Sequence, residues 1–328
     1  AGVTIEGSTV NCNDNNTTTG EAYAALSLNK EAVGGSIVAT NTTVNVTDGS
    51  DSMKGRNSAE NGTVSINGST DDVTVMVAVI TYEGSDYYYS FATLAEAVEF
   101  AKAGDVVTLI RDITASDIIT INNAITIDLN GKTFTVSEGA STNNRNFKIN
   151  GSSVVTIKNG TMVAAGEYSS GAYGTLRTED TANVTLEGVK LYNYRGNGLN
   201  VKALSGTTVT INDTEIYSQY GGGVEAAGGN VVLNNVTIDQ KGMYTAPYNS
   251  MTISVNGGGV ATVNSGTYST VCITTEEANN QGTSHGPWCA GVLNSGGKLI
   301  INGGTFANDN FGDNALATYA RGLLLADT

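Results

Sequence analysis

The sequence predicts an all-β fold, a parallel β-helix in which short strands stack coil upon coil. Similar strand-like segments rich in Val, Ile and Thr recur along the chain, and Asn-Gly, Gly-Gly and Asn-Asp pairs separate them. Repeats at intervals of roughly 20 to 50 residues are typical of solenoids and propellers. The chain has 41 glycines and only 2 prolines, as expected where nearly every strand donates hydrogen bonds to its neighbours.

Six of these segments align on one apolar position. That position is occupied by Ile157, Leu186, Ile211, Leu233, Val263 and Ile301. The intervals range from 22 residues, between Ile211 and Leu233, to 38 residues, between Val263 and Ile301. Unequal intervals indicate coils of two or three short strands joined by loops of different lengths.

The alternation within each segment indicates which side chains face inward. Val184 and Leu186 are apolar, whereas Thr185 and Glu187 are polar. Because successive side chains of a strand point to opposite faces, the apolar row is predicted to face the interior. One coil cannot bury that row alone, but coils stacked at about 4.8 Å bury a continuous core.

The charge of the chain limits its partners. The chain has 328 residues, enough for a substantial core, with 14% charged residues and a net charge of −15. This negative charge argues against nucleic acid and anionic membranes as partners. No apolar run approaches the roughly 18 residues of a membrane span, and no signal-peptide pattern opens the sequence. We expect a mature secreted chain, or an excerpt of one.

One segment has the pattern of a helix. A capping box is predicted at Thr93 and Glu96, and Gly104 follows where a helix would stop. The residues on its apolar face are Leu94, Ala97, Val98 and Ala101. We therefore expect one short capping α-helix at about residues 91–103, lying over an open end of the solenoid and shielding its core.

A family resemblance lies in FATLAEAVEFAKAGDVVTL, from Phe91 to Leu109, and ITIDLNGKTFTV, from Ile125 to Val136. These stretches resemble the start of right-handed parallel β-helix regions in bacterial cell-surface proteins of the pectin-lyase-like superfamily, over about residues 87–328. The resemblance implies right-handed coils and a secreted or cell-surface location. It does not imply one function, because that superfamily includes lyases, hydrolases, adhesins and fibre proteins.

Three segments are expected along the chain. Residues 1–82 are a strand-rich N-terminal segment, residues 83–113 hold the capping helix and first strands, and residues 114–328 form the β-helix coils. In the proteins that the chain resembles, the capping helix opens the solenoid. Here residues 1–82 precede the helix, and we expect that they complete the solenoid of a neighbour.

The two ends of the sequence look like two halves of one repeat. GLLLADT followed by AGVTIEGSTVNC has the same form as the internal stretch GLNVKALSGTTVTINDTEIYS. The predicted assembly interface consists of Ala1, Val3, Ile5, Leu323, Leu324 and Leu325. The C-terminal end would be joined to the next N-terminal end either covalently, in a tandem array, or non-covalently, between copies of the chain. Alternatively, the first 80 residues fold back on their own chain, or the sequence is an arbitrary excerpt.

The three cysteines do not form a metal-binding pattern. Cys272 and Cys289 bracket a 16-residue insertion that a disulfide between them would close, and Cys12 would then be left over, either free or paired between chains. The alternative is that none of the three forms a disulfide and all are buried.

Residues suited to catalysis are scattered. A polysaccharide lyase needs clustered carboxylates for Ca²⁺ and a basic residue. The candidates in this chain are Arg177, Glu179, Asp180, Arg195, Asp213 and Glu215. These candidates do not fall at one corner of the coils. The adjacent carboxylates of Asp71 and Asp72, which a hydrolase could use, lie in a polar turn. The histidine His285, near Trp288, fits an ordinary loop. We expect no catalytic, cofactor or metal site; a structural Ca²⁺ ion has no support.

Aromatic residues follow many of the strand cores. Those expected to form a ladder are Tyr168, Tyr192, Tyr217, Tyr244, Tyr268 and Phe306. An exposed ladder would stack on sugar rings or on a neighbouring fibre, whereas a buried ladder belongs to the core. The buried interpretation is favoured.

Three functions are compatible with these patterns. The favoured one is an extracellular structural protein that assembles end to end with copies of itself, into a fibre or surface array, through stacked coils. The first alternative is an adhesin or glycan-binding stalk of a larger surface protein, and the second is a polysaccharide lyase or hydrolase. Binding to nucleic acid and insertion into a membrane are not expected.

Overall fold

A computed structural model shows two compact units. The N-terminal unit comprises residues 1–101 and 107–112, and the C-terminal unit comprises residues 102–106 and 113–328. The structure describes residues 2–13, 24–47, 53–82, 88–137, 146–151, 153–165, 175–178, 181–194, 201–218, 222–241, 251–271, 290–309 and 321–325.

The N-terminal unit is built from short strands and from the only α-helix in these described ranges. The helix is α1 (Leu94–Phe100). The strands are β1 (Gly2–Glu6), β2 (Thr9–Asn13), β3 (Ala24–Leu28), β4 (Ser36–Thr40), β5 (Thr43–Thr47), β6 (Met53–Asn57), β7 (Thr63–Ile66), β8 (Val73–Val75), β9 (Ala78–Thr81), β10 (Tyr88–Phe91) and β11 (Val106–Leu109).

The first eight strands form three parallel stacks. The stacks are β1-β4-β7, β2-β5 and β3-β6-β8. The chain visits one stack after another, from β1 to β2 to β3 and then from β4 to β5 to β6. This order is that of a parallel β-helix whose first two coils place one strand in each stack.

Apolar side chains stack from coil to coil inside this unit. Val3, Ile37 and Val64 occupy one register position on β1, β4 and β7. The buried core cluster consists of Leu26, Leu28, Ile37, Ala39, Val44, Ala59, Val64 and Ile66. Residues 2–76 of the described chain therefore have a hydrophobic core made by their own coils.

Helix α1 begins and ends for identifiable reasons. The Thr93 hydroxyl accepts a hydrogen bond from the Glu96 amide at 3.1 Å, and the Glu96 carboxylate accepts one from the Thr93 amide at 3.1 Å. These two bonds form the predicted capping box. The backbone turns extended at Ala101, and Gly104 then adopts a φ of +93°. The buried residues of the helix are Leu94, Ala97 and Val98.

The helix packs on an antiparallel sheet in which β9 pairs with β10 and with β11. The Phe100 ring lies 4.9 Å from the Tyr89 ring and 5.3 Å from the Phe91 ring, between centroids. After β11, Arg111 Nη2 donates to the carbonyl of Ala59 at 2.9 Å and to that of Asn57 at 3.3 Å. Arg111 therefore ties this sheet to the coils of the same unit.

The C-terminal unit is made of strands alone within the residues that the structure describes. They are β12 (Ile113–Ala115), β13 (Ile119–Ile121), β14 (Thr126–Asp128), β15 (Thr133–Val136), β16 (Phe147–Ile149), β17 (Val154–Ala164), β18 (Leu176–Thr178), β19 (Asn183–Asn193), β20 (Val201–Leu204), β21 (Thr208–Asn212), β22 (Glu215–Ser218), β23 (Val224–Ala227), β24 (Asn230–Asn234), β25 (Val236–Lys241), β26 (Met251–Asn256), β27 (Val260–Val263), β28 (Gly266–Val271), β29 (Ala290–Ser295), β30 (Lys298–Ile301), β31 (Thr305–Asp309) and β32 (Arg321–Leu325).

These strands form three parallel faces. The first face is β14-β17-β19-β21-β24-β27-β30, and the second face is β12-β15-β17-β19-β22-β25-β28-β31. The third face is the eight-stranded sheet β13-β16-β18-β20-β23-β26-β29-β32. The long strands β17 and β19, of 11 residues each, belong to both the first and the second face.

The apolar residues that align in the sequence also stack on one another in the structure, one on each successive coil. Ile157, Leu186, Ile211, Leu233, Val263 and Ile301 are successive register partners on the first face. The first five are fully buried, because neighbouring coils cover them from both sides. The repeat read from the sequence is therefore the coil of the solenoid.

At the corner between the first and second faces, residues of successive coils have the left-handed backbone conformation. Asn159, Asp213 and Asn235 have φ values of 59°, 48° and 53°, and Gly188 occupies the same corner with φ 59°. Asn, Asp and Gly are the residues that tolerate this conformation. Such a corner turns the chain sharply without interrupting the stacking of the two faces.

The predicted fold class is confirmed: the chain is an all-β protein with stacked parallel strands of the β-helix kind. The helix predicted at about 91–103 spans Leu94–Phe100. It is shorter because Thr93 caps its start and the chain is already extended at Ala101.

Candidate functional site: open coil edges and an aromatic cluster

The first coil of the N-terminal unit has an uncovered edge. Among the described residues, β1, β2 and β3 each pair on one side only, with β4, β5 and β6. Val3 is 55% exposed, whereas its column partners Ile37 and Val64 are 8% and 2% exposed. Ile5 is half-buried. An apolar core column therefore reaches the surface at this edge.

The last coil of the C-terminal unit has a similar edge. Within the described ranges, β30, β31 and β32 pair only with β27, β28 and β29. Ile301 is 46% exposed, whereas its neighbour Val263 in the same column is fully buried. Leu299, two residues earlier on β30, is half-buried. Here too the core column ends in exposed apolar side chains.

The residues predicted for assembly lie on these edge strands as far as the structure describes them. Val3 and Ile5 belong to β1. Leu323, Leu324 and Leu325 belong to β32, whose backbone pairs with β29. Ala1 lies outside the described residues.

The two edge coils follow the same path. In the N-terminal unit, Gly7 and Asn41 make the left-handed corners that join β1 to β2 and β4 to β5, with φ values of 60° and 48°. Asn235 makes the corresponding corner in the C-terminal unit. By this correspondence β1, β2 and β3 occupy the places in a coil that β30, β31 and β32 occupy in the other unit.

A ladder of asparagine side chains runs along the corner of the C-terminal unit. Asn234 Nδ2 donates to Asn212 Oδ1 at 2.8 Å, Asn264 to Asn234 at 2.7 Å, and Asn302 to Asn264 at 2.7 Å. The sequence analysis missed this ladder. Its signal was present, because each asparagine directly follows one of the aligned apolar positions.

The four described members of the expected aromatic ladder lie in two columns. Tyr192 pairs in register with Tyr217, and Tyr268 pairs with Phe306. Tyr268 is fully buried and its ring centroid lies 4.9 Å from that of Phe306. Tyr192 and Tyr217 are half-buried on the opposite, outer side. The offset between the columns is one residue, which reverses the direction of a side chain.

Tyr194 joins the outer pair, so that three tyrosines form one aromatic cluster. The rings of Tyr192 and Tyr217 are 6.0 Å apart between centroids, and those of Tyr194 and Tyr217 are 5.6 Å apart. The rings of Tyr192 and Tyr194 are parallel within 2° at 6.1 Å. Burial raises the pKa of Tyr194, with a further contribution from Tyr192. We call Tyr192, Tyr194 and Tyr217 the outer tyrosine cluster.

An ion pair borders this cluster on the same two strands. Lys190 Nζ lies 3.0 Å from Glu215 Oε2. Two residues further along β19 and β22 come Tyr192 and Tyr217, on the same face of the sheet. The hydrogen bond from Lys190 to Glu215 raises the pKa of the Lys190 ammonium.

The candidate catalytic residues are not brought together where the structure describes them. Asp213 lies at a corner, where its carboxylate accepts from Asn235 Nδ2 at 2.7 Å, and Glu215 binds Lys190. Asp72 accepts from Lys54 at 2.9 Å. Arg177 lies on β18. No group of three or more His, Cys, Asp or Glu that could hold a metal occurs among the described residues.

Several predicted positions lie outside the described residues. They are Cys272, Cys289, Tyr168, Tyr244, Glu179, Asp180, Arg195, His285 and Trp288. Cys12 lies on β2, where it pairs in register with Val46. The disulfide expected between Cys272 and Cys289 therefore stays a prediction.

The fold defines a parallel β-helix protein, and in the described part of the chain one coil edge of each unit is uncovered. The chain matches no protein-family model and no curated protein. In the described part of the chain, no helix has the length and apolar character needed to cross a membrane.

Proposed function

We propose that the protein is an extracellular structural protein that assembles end to end through stacked β-coils. In this proposal the edge formed by β1, β2 and β3 in one copy binds the edge formed by β30, β31 and β32 in another. The observation that carries the proposal is the exposed apolar column at each edge, with Val3 at one and Ile301 at the other.

The chemistry of the edges supports pairing between copies. An edge strand presents a row of backbone amides and carbonyls that a further parallel strand satisfies. Covering Val3 and Ile301 removes apolar surface from water, which is favourable by about 25 cal/mol for each Å² buried. Since the coils correspond strand by strand, we expect Ile5 to lie on Ile301 and Val3 on Leu299. A slip of one residue would turn the apolar side chains outward.

The proposal extends to the family and the location. The stretch from Phe91 to Leu109 resembles that of right-handed, pectin-lyase-like β-helix proteins of bacterial surfaces. A low fraction of charged residues, 14%, and a net charge of −15 fit a surface made mostly of Thr, Ser, Asn and Gly. We therefore propose right-handed coils and a secreted or cell-surface location.

The test is electron microscopy and sedimentation of the purified 33.7 kDa chain and of edge variants. We expect filaments from the unsubstituted protein. Val3→Glu and Ile301→Glu should each abolish them, because a carboxylate would be buried without a partner at the joint. A chain that stays monomeric at high concentration, or filaments that persist in both variants, would contradict the proposal.

The matched control is Val154→Glu. Val154 is 59% exposed, similar to Val3, but it lies on β17, which has paired strands on both sides. Filaments should form normally from this variant. A loss of filaments there would mean that added charge, rather than the edges, blocks assembly.

A second candidate function, binding of glycans, is favoured by the outer tyrosine cluster. Three half-exposed or exposed rings gathered within 6.1 Å of one another are suited to contact with sugar rings. This candidate does not depend on end-to-end assembly. No observation in the described residues favours the lyase or hydrolase alternative over these two.

A further inference from the structure

We propose that the outer tyrosine cluster, together with Lys190 and Glu215, is a binding site for a neutral polysaccharide on the second face of the C-terminal unit. The site would take pyranose rings, whose C–H faces are apolar and whose edges carry hydroxyl groups. The proposal rests on the second candidate function, glycan binding, and narrows it to one class of glycan from the arrangement of these five side chains; it is independent of the coil edges.

The rings provide an apolar surface fixed by the sheet. Tyr192 and Tyr217 are held on adjacent parallel strands in exact register, so their backbone positions are set by the ladder of hydrogen bonds. Tyr194 is fixed as well, because its amide donates to the carbonyl of Ala164 at 3.0 Å. Rigid aromatic side chains lose little conformational entropy on binding.

The cluster is accessible, unlike Tyr268 in the neighbouring column. Tyr194 is 36% exposed, and Tyr192 and Tyr217 are half-buried. Tyr268, in the neighbouring column, is fully buried and donates its hydroxyl to the carbonyl of Ser265 at 2.8 Å. Tyr268 is therefore part of the core, whereas the outer cluster leaves ring surface for a ligand.

Polar groups lie on both sides of the rings, as sugar recognition requires. The Lys190 and Glu215 pair precedes the tyrosines on the same strands. Asp239 is the next residue in the column of Tyr217, and its carboxylate accepts from Ser269 Oγ at 3.2 Å. Carboxylates, an ammonium group and hydroxyls are donors and acceptors for sugar hydroxyl groups.

The charge selects among polysaccharides. Glu215 and Asp239 border the rings, and the whole chain has a net charge of −15. A uronic-acid polymer would be repelled by this field, and Lys190, the described ammonium group beside the rings, already binds Glu215. A neutral hexose polymer avoids both effects, and we therefore assign the site to neutral chains.

The experiment is native affinity electrophoresis through gels that contain galactomannan, hydroxyethylcellulose or polygalacturonate. We expect retardation of the unsubstituted chain by at least one of the two neutral polymers and none by polygalacturonate. Tyr194→Ala and Tyr217→Ala should each weaken the affinity by about 2- to 10-fold, since one aromatic contact is lost. Circular dichroism checks that both variants keep their strands.

Tyr82→Ala is the matched control, because Tyr82 is also 36% exposed but lies in the N-terminal unit. It should be retarded like the unsubstituted chain. Three results would each overturn the proposal: no retardation by either neutral polymer, retardation that survives both Tyr194→Ala and Tyr217→Ala, or retardation by polygalacturonate alone. None of these results bears on filament formation, so the two proposals fail separately.

Discussion

Asn302 donates its side-chain amide to the Oδ1 of Asn264 at 2.7 Å, across two adjacent coils. Asn264 in turn donates to Asn234 at 2.7 Å. The middle asparagine is therefore donor and acceptor at once, and it joins three consecutive coils at the corner between the first and second faces. Ladders of this kind add hydrogen bonds to the backbone pairing of stacked strands.

We expect Asn264→Ala to lower the free energy of unfolding by about 1 to 2 kcal/mol, because two hydrogen bonds are lost. Asn302→Ala, which removes one bond of the ladder, should cost about half as much. Urea denaturation followed by circular dichroism measures both values. Equal losses of unfolding free energy in the two variants would show that the hydrogen bonds of the ladder do not each contribute to stability.

The corner residue Asn159 has a φ of 59°. Asn159→Val places a β-branched side chain in the left-handed region and should destabilise the protein by about 1 to 2 kcal/mol. Asn159→Gly should be much milder, since glycine adopts this conformation without strain. Thermal unfolding of the pair of variants provides the comparison, and a glycine variant as unstable as the valine variant would argue against strain as the cause.

The half-buried guanidinium of Arg111 holds the carbonyls of Asn57 and Ala59, and burial lowers its pKa while Glu60 opposes this shift. We expect Arg111→Met to destabilise the N-terminal unit by roughly 2 kcal/mol, because two carbonyls lose charged donors. Hydrogen exchange should become faster in β6 and β7, while strands β21 to β27 keep their protection. Arg111→Lys should show an intermediate effect; uniform acceleration in both units would contradict this account.

Burial raises the pKa of Tyr268 above the ordinary tyrosine value of about 10. The folded state therefore holds this proton more tightly than the unfolded state, and unfolding becomes easier as the pH rises above about 10. The stabilising contribution is fully present below that pH and is lost as the pH approaches the folded pKa. Tyr268→Phe lacks this dependence.

Between about pH 9 and about pH 11, we expect the unsubstituted protein to lose more stability than Tyr268→Phe does. Urea midpoints measured across this range provide the test. Tyr82→Phe removes a phenol at the surface and should follow the unsubstituted protein. Parallel curves for all three proteins would mean that Tyr268 is not protected from ionisation.

The repeating part of the fold was predictable from the sequence, because the inward-facing residues of each coil follow a local pattern of apolar and polar residues. Ile157 and Leu186 are both apolar, each lies between polar neighbours, and a left-handed corner residue follows each of them. Helix α1 was equally predictable, since the side chains of Thr93 and Glu96 act within one turn. Local patterns of this kind do not depend on which strands become neighbours.

The aromatic columns were predictable from a count within each repeat, which the sequence analysis did not make. Tyr217 lies six residues after the aligned Ile211, whereas Tyr268 lies five residues after the aligned Val263. Tyr217 therefore pairs with Tyr192, and Tyr268 falls in the neighbouring column. This difference of one residue moves a ring from the outer surface to the core.

The burial of some polar side chains could not be predicted from the sequence. Gln240 and Thr270 are fully buried register partners at the end of the second face, and Thr270 Oγ1 donates to Gln240 Oε1 at 3.4 Å. Polar residues at the end of a strand are normally taken for the start of an exposed loop. Only the stacking of whole coils brings these two side chains into the interior.

The asparagine ladder has an orientation, because every amide in it donates from a later coil to an earlier one. Asn45 donates to Asn11 in the same sense, and so does Asn150 to Asn122. A coil laid on in reverse would set like groups against each other, donor against donor at the first coil and acceptor against acceptor at the last. A filament that grows by adding these coils is therefore polar, because its two ends differ chemically. A labelled subunit should be incorporated at one end at a different rate from the other.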